Sequence, residues 1–164
     1  MDIRAGQGID FHRLEKGIDL RLGGVLIPYE KGCVAHSDGD VLLHAICDAL
    51  LGAAGLRDIG MHFPDSDPEY RNIDSRILLK RTFDLISREG YSVINVDSTI
   101  CLEKPRISAR IPEMKEVIAG ILKTQPGNIS VKATTTEGMG FTGRGEGVMA
   151  TAMVLLRGDD GKIS

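Results

Sequence analysis

Asp10, Phe11 and His12 place a carboxylate and an imidazole two residues apart. In an extended strand, residues i and i+2 point to the same face, so these two side chains can converge on one ion. The bland alternative is an exposed strand end. A second cluster, His36-Ser37-Asp38-Gly39-Asp40, leads into His44 and Asp48. Asp40, His44 and Asp48 are spaced four apart and would stand one above another along a helix. The stretch from Asp40 to Ala54 holds neither Lys nor Glu, the usual residues of a solvated face. Capping residues plus one satisfied histidine would account for the strip without chemistry. The functional reading is that His44 joins Asp10 and His12. Two imidazoles, one carboxylate and an open fourth position are the ligand set of a catalytic zinc. Each ring then needs an acceptor to hold it, and Asp40 or Asp48 is expected to serve.

Two further segments have chemical potential. Asp58-Ile59-Gly60-Met61-His62-Phe63-Pro64-Asp65-Ser66-Asp67 holds three aspartates in a Pro-bounded loop. They suit a hydroxylated substrate or a hard cation, and equally suit turn formation, since Asp caps its own backbone. Thr134-Thr135-Thr136-Glu137 precedes five glycines in residues 138–147. Glycine lets main-chain N–H groups approach a phosphate, and the threonine hydroxyls add donors. No Gly-Lys-Ser/Thr follows, so this is not a P-loop, and a strand rather than a helix comes next, unlike a dinucleotide fingerprint. A bulged hairpin would use the same glycines for turning alone. Glu137 speaks for more, because a carboxylate among donors suits a phosphate-bridging Mg²⁺ or Mn²⁺.

Together, Asp10-x-His12, His36-Ser37-Asp38-Gly39-Asp40 with His44, Asp58-Ile59-Gly60, Phe63-Pro64-Asp65-x-Asp67 and Thr134-Thr135-Thr136-Glu137-x-x-Gly140-Phe141-Thr142-Gly143-Arg144-Gly145-Glu146-Gly147 resemble the 2-C-methyl-D-erythritol 2,4-cyclodiphosphate synthase family of the non-mevalonate isoprenoid pathway. The resemblance runs from about Ile3 to Leu156. It implies a phosphorus–oxygen lyase acting on 4-diphosphocytidyl-2-C-methyl-D-erythritol 2-phosphate. The 2-phosphate attacks the β-phosphorus, releasing CMP and closing a cyclic diphosphate. By position, Asp10, His12 and His44 match zinc ligands, and Glu137 matches the ligand of a second cation, Mg²⁺ or Mn²⁺. His36 and Thr135 match residues that steady the phosphates in the transition state, alongside Ser37.

The methylerythritol pocket falls on Asp58, Ile59, Gly60, Phe63, Pro64, Asp65, Ser66 and Asp67. The cytidine side falls on Leu102, Lys104, Arg106, Ile107 and Ser108, with Ala133, Thr134 and Thr136. Phe141 and Arg144 are implied substrate contacts, and with Glu146 they match a central channel that holds isoprenoid diphosphates. The resemblance also implies a homotrimer with active sites between subunits. Two positions depart from the family pattern. Gln7 stands where members commonly have His, and Arg106 stands where Lys usually follows Pro; Arg is planar and bidentate where Lys is a point charge. Competing readings are a metal-dependent phosphohydrolase, with water as the nucleophile, and a non-catalytic trimeric module that binds isoprenoid diphosphates.

Hydrophobic spacing predicts the elements that must position these residues. Residues 3–14 read as a strand, and Ile18–Leu22 and Val25–Ile27 as a hairpin around Gly23-Gly24. Leu43, Ile46 and Leu50 mark a helix over Asp40–Ala54, capped by Ser37 or Asp38 and ended by Gly55. Arg57 to Asn72 reads as a loop. Asp74 caps a second helix with Leu79, Phe83 and Ile86 on its buried stripe and Gly90 as terminator. Tyr91–Glu103 alternates as a strand, with Ile94, Val96, Ile100 and Leu102 inward. A third helix spans about Ser108 to Lys123, with Ile111, Met114, Ile118 and Ile121 on one face, before strands at Ile129–Ala133 and Val148–Leu156. The expected fold class is α/β, an α+β sandwich in which a mixed sheet is covered on one face by three helices.

Composition sets the outer bounds. A chain of 164 residues predicts one domain, with a disordered tail over about 158–164. Only seven aromatic residues (four Phe, three Tyr, no Trp) force an aliphatic core, and 20 glycines imply much bent or closely approached backbone. A net charge of −3 offers no surface for nucleic acid. No apolar run approaches the roughly 20 residues a membrane span needs, and the start, Met1-Asp2-Ile3-Arg4, lacks the look of a signal peptide. Cys33, Cys47 and Cys101 form neither a disulfide framework nor a CxxC pair and read as buried or half-buried thiols. These features predict a soluble cytoplasmic protein without nucleic-acid or membrane partners.

Overall fold

Along β1 (Ile3–Lys16), alternate residues point opposite ways: Gly6, Gly8 and Leu14 are buried, while Gln7, Ile9, Phe11 and Arg13 are exposed. This computed structural model describes residues 2–159. The other main strands are β4 (Lys31–Val34), β5 (Tyr91–Cys101), β6 (Ile129–Thr134) and β7 (Gly147–Gly158). They form one sheet in the order β4-β1-β7-β5-β6. β1 runs antiparallel to β4 and β7, β5 is antiparallel to β7, and β5 is parallel to β6, so the sheet is mixed as expected. A hairpin of β2 (Leu20–Leu22) and β3 (Val25–Ile27) turns through Gly23 and Gly24, both at positive φ, and stands as a separate two-stranded sheet.

Helix α1 (Val41–Ala53) lies directly on β1. A Cβ on Gly6 would come within 2.0 Å of the Ala49 carbonyl oxygen, and one on Gly8 within 1.9 Å of that of Ala45. One helical turn of four residues rises about 6 Å, close to the roughly 6.6 Å of two strand residues. The match lets successive turns of α1 rest on Gly6 and Gly8 in step. Every residue of α1 except Asp48 and Gly52 is buried, because α3 (Ser75–Arg88) packs against it in turn. A helix enclosed over nearly its whole surface needs no extended charged face, which accounts for the missing Lys and Glu. α3 is amphipathic, with Leu78, Leu79, Phe83 and Ile86 buried, capped by Asp74 and followed by Gly90 at positive φ. α4 (Ile111–Ile121) buries Met114, Ile118 and Ala119 after a 3₁₀ turn over Ser108–Arg110. The core is aliphatic, with Phe63 and Phe83 its buried aromatics.

Several local expectations are corrected. The N-cap of α1 is Asp40, which accepts from Leu43 N–H at 3.0 Å, rather than Ser37 or Asp38. The Arg57–Asn72 loop contains α2 (Ile59–His62), capped by Asp58, and a 3₁₀ turn, Pro68–Tyr70, capped by Asp67. The glycine segment is no hairpin, because β5 lies between β6 and β7; it crosses over through the short helix α5 (Gly140–Gly143). There Gly143 meets Gly138 so closely that a Cβ would lie 2.2 Å from its carbonyl carbon. In β5 the pairing with β7 slips between Val93 and Asn95, so Ile94 is a bulge and Val93, not Ile94, packs on the core. Gly158 and Asp159, the start of the expected disordered tail, donate N–H bonds to Asp2 and Gly90 carbonyls. Residues 160–164 of that tail lie outside the described residues. Cys33 and Cys47 are buried and Cys101 half-buried, all as free thiols.

The glycine seat makes a contrast measurable. Gly8→Ala should destabilise the fold by about 3 kcal/mol, since the new methyl overlaps a helix carbonyl. Gly52→Ala, on α1 with nothing within 4 Å, should stabilise by roughly 0.5–1 kcal/mol. Urea unfolding of both variants checks the pair.

Candidate functional site

The inner face of β1 continues from Gly8 to Asp10 and His12, which stand opposite Ala150 and Val148 of β7. His44, one residue before the Ala45 that rests on Gly8, reaches the same point from α1. Asp10 Oδ2 lies 3.0 Å from His12 Nε2 and 3.1 Å from His44 Nδ1, and the two nitrogens are 3.1 Å apart. Bonds of 2.0–2.1 Å to a tetrahedral ion would set ligand atoms roughly 3.3–3.4 Å apart. A divalent metal ion therefore fits with shifts of a few tenths of an ångström. Among the described residues this is the group of three or more such side chains gathered closely enough to hold a metal.

The electrostatics agree with that reading. Burial pushes the Asp10 carboxyl up, but hydrogen bonds to His12 and His44 and their charge outweigh it and bring the pKa down to about 2. Burial lowers the His44 pKa, yet contact with Asp10 and the charge of nearby aspartates leave it raised. Without a metal, contact with the His44 ring offsets the Asp10 charge, and a metal ion would take over that role.

The far edge of His44 is held differently from expectation. Its Nε2 lies 2.8 Å from Ser75 Oγ and 3.2 Å from Ser37 Oγ, and the Ser75 hydroxyl donates to Asp38. Neither Asp40 nor Asp48 holds the ring. Asp40 is the extended N-cap residue (φ −70°, ψ 90°), so its side chain folds back to its own helix end instead of lying above His44. There, fully buried, it accepts from the N–H groups of Gly23 (2.9 Å), Gly24 (2.7 Å) and Leu43 (3.0 Å). Asp48 accepts from Ile59 N–H at 2.8 Å and so fixes the start of α2. Ser75 left no mark in the sequence, since its partners lie 31 and 37 residues away.

The triad opens into a cavity of about 460 Å³. Its walls include His36 and Ser37 from the loop before α1, and Ile59, Gly60, Phe63, Pro64 and Asp65 from the α2 segment. Asp58, Ser66 and Asp67 are not on this wall; Asp58 and Asp67 serve as caps. His36 Nε2 donates to the Asp67 carbonyl at 3.4 Å. Phe63 and Tyr70 meet edge to face, with ring centres 5.5 Å apart.

A second cleft, about 170 Å³, is bordered by Leu102, Arg106, Ile107, Ser108, Ala133, Thr134 and Thr135. Lys104 is exposed and precedes a cis bond to Pro105 without lining it. Glu103, which was not singled out, does line it. Glu137 is exposed at φ 54° and accepts from the Thr135 hydroxyl at 3.2 Å. Thr136 bonds within its own turn, to Met139 O and Thr142 Oγ1. The two cavities share no lining residue, so a single chain does not bring His36 and Thr135 to one cavity. Phe141 packs on Phe11 at 6.0 Å, and Arg144 and Glu146 form an ion pair beside Arg13 and Lys31.

Metal uptake should follow proton competition. A proton on His44 Nδ1 blocks a ligand atom, and the raised pKa keeps that proton on to a higher pH than an ordinary imidazole. Affinity should therefore be greatest at alkaline pH and fall as pH drops through the His44 pKa. Calorimetric titration of the metal-free chain with Zn²⁺ across that range checks this, and His44→Ala should abolish uptake.

The sequence profile of the YgbB family matches residues 3–157. The 2-C-methyl-D-erythritol 2,4-cyclodiphosphate synthase of Phocaeicola vulgatus is 58% identical over 156 residues, 95% of this chain and 98% of the relative. The enzyme of the same name from Bacteroides fragilis is 56% identical over 156 residues, with the same coverage. Among solved structures, the bifunctional IspDF from Campylobacter jejuni superimposes with a TM-score of 0.93 at 42% identity, over 97% of this chain and 43% of that one. This chain thus spans less than half of that protein. A 2C-methyl-D-erythritol-2,4-cyclodiphosphate synthase in a CDP-bound form superimposes with a TM-score of 0.87 at 36% identity, over 94% of this chain and all of the other. With 155 consecutive positions (3–157) on the profile and this fold and cluster, the chain belongs to the YgbB family, whose relatives are 2-C-methyl-D-erythritol 2,4-cyclodiphosphate synthases, lyases of isoprenoid biosynthesis.

Proposed function

We propose that the chain converts 4-diphosphocytidyl-2-C-methyl-D-erythritol 2-phosphate to 2-C-methyl-D-erythritol 2,4-cyclodiphosphate and CMP, by attack of the 2-phosphate on the β-phosphorus. The observation that carries this reading is the convergence of Asp10, His12 and His44 on one point of the 460 Å³ cavity. Zinc is the ion proposed for the triad; when bound it supplies Lewis acidity and a template for phosphate oxygens. The nucleophile belongs to the substrate, so the protein's task is positioning and charge neutralisation.

Each wall of the cavity has a part in that task. His36, its ring tied to the Asp67 carbonyl, and Ser37 face the phosphates. Asp65 accepts from sugar hydroxyls, and Phe63 with Tyr70 offers an apolar surface to the methyl group. The cleft at Leu102, Arg106, Ile107, Ser108, Ala133 and Thr134 takes the cytidine and Thr135 steadies the phosphates. Glu137 would hold a second divalent cation, Mg²⁺ or Mn²⁺, which would supply charge neutralisation to the phosphates.

A homotrimer follows from this division of labour, with the triad of one chain facing the nucleotide cleft of the next. Two observations support it. The two cavities are separate within one chain, and the outer sheet face exposes Ile9, Phe11, Met153 and Leu155. We assign Phe141, Arg144 and Glu146 to a central channel for an isoprenoid diphosphate, and the protein to the cytoplasm. No helix among the described residues is long and apolar enough to cross a membrane.

Product identification tests the reaction. The metal-loaded chain should yield cyclic diphosphate and CMP in equal amounts, whereas an open-chain phosphate would show that water is the nucleophile. Glu137→Gln should lower kcat at least about 100-fold while zinc stays bound. His44→Ala should lose zinc and CMP release together, with the size of the assembly unchanged by sedimentation. Full turnover in His44→Ala would overturn the metal assignment.

A further inference from the structure

We propose that Ser75 and Asp38 act as positioning residues that decide which nitrogen of His44 is free to bind the metal. A serine hydroxyl has one hydrogen to give. In this fold Ser75 gives it to Asp38, which also accepts from the backbone N–H groups of Ser75 (3.0 Å) and Asp40 (3.2 Å). With three donors aimed at it, the Asp38 carboxylate is the acceptor. Ser75 Oγ, its hydrogen committed, can only accept from His44 Nε2 at 2.8 Å. Nε2 therefore keeps its hydrogen, and Nδ1 presents a bare lone pair toward Asp10 and His12.

The relay has an opponent. Asp10 Oδ2, 3.1 Å from Nδ1, would accept a proton held there and block the ligand atom. Without Ser75, a neutral ring gains most by placing its hydrogen on Nδ1 against Asp10. Ser37 is a weaker alternative: its Oγ lies 3.2 Å from Nε2, and already accepts from Gly39 N–H at 3.2 Å. Ser75 is fully buried at the first residue of α3, where the Asp74 cap and the Asp38 contact fix its backbone. His44 and Ser75 are thus shielded from water while Asp38 is half-buried, and the chain His44–Ser75–Asp38 ties together three separate parts of the fold: α1, α3 and the loop before α1.

The proposal rests on the reading that Asp10, His12 and His44 hold a metal, and the test separates the two. Metal-free protein labelled with ¹⁵N is observed by NMR at alkaline pH, where the ring is neutral. His44 should show the Nε2–H tautomer in the parent and shift toward Nδ1–H in Ser75→Ala. Competition with a chromogenic chelator for Zn²⁺ should show a 10–100-fold loss of affinity in that variant. Asp38→Asn, which keeps the size but removes the carboxylate, should move both readouts the same way and decides the matter if Ser75→Ala does not fold. An Nδ1–H tautomer in the parent overturns the relay, as do an unchanged tautomer and Zn²⁺ affinity within twofold of parent in a folded variant. A lowered melting temperature with both readouts unchanged means a structural role only. A parent that binds no Zn²⁺ overturns the metal reading instead.

Discussion

The close seat of α1 on the bare backbone of β1 is the constraint from which the rest of the site follows. Gly6 and Gly8 remove the side chains that would hold helix and strand apart, so carbonyl groups of α1 come down onto the strand. At that separation a histidine on the helix reaches a carboxylate and an imidazole on the strand without an intervening loop. Rigid elements supply all three triad atoms, as a preorganised site requires. The same proximity buries all of α1 but Asp48 and Gly52 and obliges α3 to cover its far side, which puts Ser75 behind His44.

Two aspartates of one short loop illustrate how burial divides labour. Asp38 bridges to α3 and serves the ring of His44 through Ser75; Asp40 binds the β2–β3 turn and the first turn of α1. Burial raises the pKa of Asp40, and its three backbone donors offset part of that cost. A buried carboxylate with that many donors welds the elements it joins. The loop between β4 and α1 is therefore fastened at its α1 end, and His36 and Ser37 project from a fixed base.

Much of the site was legible because its signals are local or periodic. Asp10 and His12 share a strand face, and His44 lies on a helix that lacks Lys and Glu, so their types and spacing announced them. The glycine segment announced a special backbone but not its path: a hairpin and a crossover use the same residues, and only the strand order, with β5 between β6 and β7, separates them. The cap of α1 was misplaced by two or three residues because Ser37, Asp38 and Asp40 are all competent caps; the tertiary bonds of Asp40 to Gly23 and Gly24 select among them. Ser75 and the bulge at Ile94 were hidden for a related reason, since each depends on a partner far along the chain. Asp58 and Asp67 suited substrate or turns equally in sequence; their side chains cap local turns while neighbouring residues face the cavity.

β1 has one more property, which concerns how the protein can change. Its even-numbered residues, Gly6, Gly8, Asp10 and His12, hold the helix and the metal ligands, while its odd-numbered ones, Ile9 and Phe11 among them, form the exposed outer face. Two tasks are written on one strand in opposite parity. Any single-residue insertion or deletion ahead of Asp10 that leaves the pairing with β7 in place exchanges the two sets, turning the ligands outward and Phe11 inward. Substitutions can alter either face by itself, but length cannot drift by one. The strand is thus a reading frame in three dimensions, tolerant of new letters and intolerant of a shift.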